Sequence, residues 1–113
     1  MGIHDITTAP VGAPVRIELD GAVVAESDAA VVLEEQGLPA RYYLPRADIG
    51  AELLPSDSNS HCPWKGDASY HSVGVHRDIA WFYPEPKQRV AAIRDHVAFY
   101  NDKVELFVGG EPV

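Results

Sequence analysis

The most regular pattern in the chain spans residues 15–20, Val-Arg-Ile-Glu-Leu-Asp, where apolar and charged positions alternate. A period of two places Val15, Ile17 and Leu19 on one face of a strand. Asp20-Gly21 is a turn dipeptide, and residues 22–25 supply a return strand, so 15–26 reads as a hairpin. Residues 30–34, rich in β-branched side chains, predict a third strand, and 41–44 a fourth that Pro45 ends. Alternation resumes over 68–75 and 79–83, which His76-Arg77-Asp78 joins as a second hairpin, and 104–108 forms the last strand.

Elsewhere the pattern changes. Val90, Ile93, Val97 and Tyr100 recur at three- and four-residue steps, which predicts the one clear helix over about 87–100. Residues 48–54 suit a helical turn with Leu53 and Leu54 over the core, and 55–60 read as a polar loop. Residues 1–14 read as an N-terminal arm. The strands lie too close together in sequence for βαβ units, so antiparallel pairing is expected. The expected fold is therefore a single domain, 1–113 with its core over about 15–110. It is mainly β, a small antiparallel barrel or two-sheet sandwich of about seven short strands, with the helix closing an edge or end.

Composition narrows the functional classes. The 113 residues carry 17 acidic and 9 basic side chains, a net charge of −8. Phosphate contacts require a basic footprint, so a nucleic-acid duplex is not an expected partner. Cys62 is the single cysteine, which excludes an intramolecular disulfide and a secreted disulfide scaffold. No apolar run reaches the 18 or so residues of a membrane span, and the opening Met1-Gly2-Ile3-His4-Asp5 lacks the layout of a signal peptide. A cytoplasmic location without membrane association is the resulting expectation. Homodimerisation is a candidate because cyclic dimers are the commonest oligomers.

Chemistry-bearing side chains concentrate at 61–71, His-Cys-Pro-Trp-Lys-Gly-Asp-Ala-Ser-Tyr-His. Cys62 reads either as a nucleophile assisted by Lys65 or His61, or, more commonly for a free cysteine, as a small buried hydrophobe. Lys65-Gly66 reads either as an anion-fixing pair or as an ordinary ion-pairing lysine beside a turn. His61, Cys62, His71 and His76 include zinc donors, but their spacing matches no recognised ligand pattern, and no metal is expected. Tyr42, Tyr43, Trp64, Tyr70, Trp81, Phe82 and Tyr83 are more than a small core easily buries, so some are candidates to line a cleft. Arg41, Arg46 and Asp48 lie near this wall in sequence. Glu34-Glu35 and Glu52 have no motif context.

Several segments together carry a family resemblance. Asp20-Gly21 with residues 24–27, Tyr42-Tyr43-Leu44-Pro45-Arg46-Ala47-Asp48, and Cys62-Pro63-Trp64-Lys65-Gly66-Asp67-Ala68-Ser69-Tyr70 are its main blocks. Ala80-Trp81-Phe82-Tyr83-Pro84 and Val97-Ala98-Phe99-Tyr100 add to them. The chain resembles the domain-of-unknown-function family number 427 from about Val15 to Gly110. That family is also filed under a nucleotidyltransferase heading, but the Gly-Ser turn of such an enzyme does not occur here. The resemblance implies a compact, mostly β fold. It directs attention to Tyr42, Arg46, Asp48, Cys62, Lys65, Tyr70, Trp81 and Tyr83 as a shared ligand-binding site, with Cys62, Lys65 and Asp48 as catalytic candidates. The expected function is binding of a small polar or anionic molecule in an aromatic-lined pocket, with any cofactor left open. The alternative is a non-catalytic interaction module or homodimerising structural domain.

Overall fold

A computed structural model describes residues 5–113; Met1 to His4, the start of the expected arm, lie outside the described residues. Eleven strands form: β1 (Ile6–Pro10), β2 (Val15–Leu19), β3 (Ala22–Ser27), β4 (Val31–Glu35), β5 (Arg41–Pro45), β6 (Leu54–Cys62), β7 (Gly66–Val73), β8 (His76–Phe82), β9 (His96–Phe99), β10 (Glu105–Val108) and β11 (Glu111–Pro112). Two short 3-10 segments, η1 (Arg46–Asp48) and η2 (Gln88–Ile93), complete the set. The strands make an antiparallel seven-stranded sheet in the order β1-β4-β5-β9-β8-β7-β6 and a four-stranded sheet in the order β11-β10-β2-β3. The fold is thus the two-sheet arrangement of the expected pair, and the barrel does not form, since β1 and β6 remain unjoined edges.

The first hairpin follows from its turn residues. Asp20 and Gly21 have φ of 54° and 81°. Two successive left-handed residues make the turn whose twist matches that of the flanking strands. The inward face of this hairpin, Val15, Ile17, Leu19, Val24 and Ala25, packs with Leu106 of β10 against Leu44, Ile79, Ala80, Val97 and Phe99 of the large sheet. This is the core between the sheets.

The large sheet also buries its opposite face. Leu33, Tyr43, Ala98, Trp81 and Ala68 lie there, covered by Val90 and Ile93 of η2. Tyr43 is opposite Ala98, Ala98 opposite Trp81, and Trp81 opposite Tyr70, so these four side chains form one row across four strands. The sheet is curled around this row. β4 and β7 are four strand spacings apart, about 19 Å on a flat sheet. Yet Glu35 at the end of β4 bonds Lys65 in the turn before β7, with Nζ to Oε1 at 2.6 Å. The face carrying that pair is therefore concave.

Several expectations need correction. The second hairpin turns at Gly74-Val75, so His76, Arg77 and Asp78 open β8 rather than joining two strands. The helical turn expected over 48–54 does not form beyond η1. Residues 87–100 are not a helix. They form η2, kinked at Val90 (φ −121°), and then β9 after a left-handed Asp95 (φ 60°). Val97, Ala98 and Phe99 are all fully buried. That is the signature of an interior strand covered on both faces, and its β-branched and aromatic members coincide with a helical period over a short window. The arm is likewise not detached, because β1 pairs with β4 and Ile6 is buried. Finally, the polar stretch 55–60 is part of edge strand β6 rather than a loop. The Ser56 and Ser58 hydroxyls donate to the Asp78 carboxylate on β8, and β6 is bulged between Pro55 and Asn59. An edge strand tolerates polar side chains and bulges because one of its sides is open.

Candidate functional site

Strand alternation sorts the candidate residues onto two faces of the large sheet. Tyr42 packs with the core between the sheets, on the face opposite Tyr43. Arg46 and Asp48 belong to η1 and do not join the aromatic row. The Asp48 carboxylate accepts a hydrogen bond from the Ser27 hydroxyl at 2.5 Å, which ties η1 to β3. Arg46 lies over the Phe82 ring, 4.5 Å from its centre, and meets Nε2 of His71 at 2.9 Å.

That last contact fixes the state of His71. A guanidinium only donates, so Nε2 is the acceptor and the proton sits on Nδ1, which donates to the Leu54 carbonyl at 3.2 Å. The ring also stacks on Phe82, with centres 4.7 Å apart. Burial, reinforced by Arg46 and opposed by the Leu54 hydrogen bond, holds the His71 pKa below its ordinary 6.5. The unfolded chain therefore takes up this proton at higher pH than the folded one. The stabilisation is complete above about pH 6.5 and is lost as pH falls through the depressed folded value. An NMR titration of the His71 ring should give a midpoint below 6.5, and the thermal midpoint should fall over the same acidic range. A midpoint at or above 6.5 would contradict this assignment.

The concave face holds a different group. Lys65, Tyr70, Trp81 and Tyr83, four of the eight sequence candidates, line one recess of about 170 Å³. Glu35, Arg41 and Tyr100 complete its walls, and Leu38 and Pro39 form its rim. Each position has a local cause. Glu35 shares the inward parity of Leu33 on β4, and Arg41 is opposite Leu33 on β5. Tyr100 follows Ala98 by two residues at the end of β9.

The electrostatics are uneven. The Lys65 and Glu35 side chains keep only 12% and 6% of their exposure and neutralise each other. Arg41 makes no hydrogen bond or ion pair with a described residue. Its guanidinium lies 5.3 Å from the Trp81 ring centre and 5.7 Å from that of Tyr100. Trp81 and Tyr100 are in contact, centres 4.5 Å apart, and the Trp81 indole N–H donates to the Tyr43 hydroxyl at 3.1 Å. Burial pushes the Tyr83 phenol far above its ordinary range. Burial and the Tyr70 hydroxyl push that of Tyr100 up to about 12. Both phenols therefore remain protonated donors at neutral pH. Among the described residues the recess carries two cations against one carboxylate, in a chain whose net charge is −8.

Cys62 lies beside this group but packs against its apolar side, partly buried among the residues of the concave face. Adjacent His61 bonds Asp67 at 2.6 Å in the open. Among the described residues no imidazole or ammonium is hydrogen-bonded to the thiol. Gly66 also has a structural explanation. Its φ is +118°, and a Cβ there would stand 3.1 Å from the Glu85 carbonyl oxygen. Its small size admits the segment leading to η2, which the Lys87 N–H to Lys65 carbonyl bond holds in place at 3.0 Å.

The model of the family described as Domain of unknown function (DUF427), labelled NTP_transf_9, matches residues 7–110. The chain belongs to this family. No curated protein matches the chain. The match takes in most of β1 and all of β2 to β10, and so begins earlier than the sequence blocks suggest. The transferase label brings with it the expectation of a two-metal carboxylate centre. Among the described residues of this DUF427 domain, no group of three or more His, Cys, Asp and Glu side chains is placed to hold a metal ion. The donor set does not fit that group. Likewise, no helix among the described residues is long and apolar enough to cross a membrane.

Sequence reasoning passed over Glu35 and Tyr100 and gave Arg41 a minor place. The parity of 31–35 carried a signal for the first, a glutamate on the buried side of a strand. Tyr100 was hidden by the helical period assigned to its segment.

Proposed function

We propose that this domain binds a small anionic molecule in the aromatic recess of its concave face. The observation that supports this reading is the state of Arg41. It is the one recess cation without a carboxylate partner among the described residues, and it is held over two ring faces. Such a guanidinium keeps its N–H edges available for a planar anion. Lys65, by contrast, is committed to Glu35. The charge recognition therefore shifts from Lys65, where the sequence placed it, to Arg41.

The test is titration of the labelled protein with acetate and inorganic phosphate, monitored at the Trp81 indole N–H. Native mass spectrometry of freshly purified protein would detect a ligand retained from the cell. A saturable shift is expected, weakened about tenfold in Arg41→Gln, the cost of one charge-assisted hydrogen bond. Equal shifts in both proteins would remove Arg41 from the reading, and no shift with any anion would end it.

A second reading, an interaction module, is favoured by Leu38 and Trp64, which remain 57% and 42% exposed. It expects self-association or partner capture that Leu38→Ser with Trp64→Ser abolishes while anion binding persists.

A further inference from the structure

The recess does not end at Arg41. Pro39, Arg41 and Tyr100 also line a wider groove that continues past Asn101 to Asp102 and Lys103. We propose that recess and groove form one bipartite site for a monocyclic aryl monocarboxylate, with the ring in the recess and the carboxylate on Arg41 at the junction. This rests on the reading that the recess takes a small anion, and adds to it a ring and a charge.

Size selects the ring. A closed apolar cavity of about 150 Å³ accepts benzene. The recess here is about 170 Å³. One six-membered ring matches that volume. The walls agree with that choice, because Trp81, Tyr83 and Tyr100 offer ring faces and edges to a flat guest.

Charge selects the tail. Glu35 cancels Lys65 inside the recess, and Asp102 stands beside Lys103 in the groove. Among the described residues one positive charge remains in excess over the site, which matches a monoanion and leaves a phosphate dianion undercompensated. Position selects the point of contact. The Arg41 guanidinium is 5.7 Å and the Lys103 ammonium 5.1 Å from the centre of the Tyr100 ring. A tail emerging over Tyr100 thus has a planar guanidinium fork and an ammonium beside it.

The experiment uses the full chain and the Trp81 indole N–H, with phenylacetate, benzyl alcohol, benzylamine, phenyl phosphate and acetate as probes. Phenylacetate is expected to bind saturably and about tenfold more tightly than acetate, which lacks the ring, and than benzyl alcohol, which lacks the charge. Benzylamine should produce no saturable shift, and phenyl phosphate should bind no more tightly than phenylacetate. Arg41→Gln should weaken phenylacetate about tenfold while leaving benzyl alcohol within about twofold, and Lys103→Ala should cost about two- to threefold. Arg41→Lys, which keeps the charge and loses the fork, should lie between. Thermal melts would establish that each variant is folded. Acetate binding as tightly as phenylacetate, through Arg41, would overturn the ring assignment and leave the small-anion reading intact. Benzyl alcohol equal to phenylacetate, or phenyl phosphate tighter by about tenfold, would overturn the monocarboxylate assignment. Silence from every anion would overturn both readings.

Discussion

Replacing Lys65 with methionine is expected to lower the unfolding free energy by about 3 kcal/mol, a large share of the stability of a small domain. The Lys65 and Glu35 side chains are nearly buried and 2.6 Å apart. Methionine keeps the length of the side chain and removes the charge, so the Glu35 carboxylate stays in its low-dielectric site and loses its 2.6 Å ion pair with Lys65. Glu35→Leu should cost a similar amount for the converse reason. The double variant Lys65→Met, Glu35→Leu should recover most of either loss, because two apolar groups have no charge to desolvate. Urea denaturation of the four proteins measures the coupling. Single losses below about 0.5 kcal/mol would mean that the pair behaves as an exposed one. The double variant also separates fold from ligand. It keeps the curled sheet and Arg41, so anion binding should survive in it.

Gly66→Ala is expected to cost about 3 kcal/mol, through two effects at one atom. At φ +118° an L side chain is strained wherever it sits, and the added methyl would meet the Glu85 backbone at 3.1 Å. Relief requires residues 85–87 to move out, which breaks the Lys87 to Lys65 hydrogen bond and loosens η2 over Trp81 and Tyr83. Gly21→Ala is the internal comparison. Gly21 also has positive φ, 81°, but nothing lies within 4 Å of its would-be Cβ, so only the conformational cost of about 1 kcal/mol applies. Equal losses at the two positions would show that the approach of residues 85–87 carries no weight.

The fold was legible where one physical rule acted alone. Period-two alternation gave β2, most of β7 and the second half of β8, and Asp20-Gly21 gave the turn of the first hairpin, because half-buried strands and left-handed turns leave local marks. It was illegible where tertiary context decided. Buried on both faces, β9 loses alternation and borrows a helical spacing from Val90, Ile93 and Val97. β6 is polar because it is an edge whose hydroxyls serve Asp78. The site follows the same division. Alternation correctly set Trp81 and Tyr83 apart from Phe82, and Tyr43 apart from Tyr42. Proximity in sequence misled for Arg46 and Asp48, since the chain leaves the sheet at Pro45 and carries both away from the recess. Glu35 is 30 residues from its partner, a distance that only the curl of the sheet closes.

The place of β10 bears on how the chain is made. It pairs with β2, bringing Val108 opposite Val15. During synthesis the first hairpin leaves the ribosome early, yet the partner that flanks it arrives more than 80 residues later, and β9 must meanwhile be inserted between β5 and β8. Such non-local pairings are slow, because loop closure precedes any gain from contact. The domain therefore completes its core only once β10 has emerged, and a ribosome stalled before residue 105 displays the apolar face of Val15 and Ile17 to whatever chaperone is at hand.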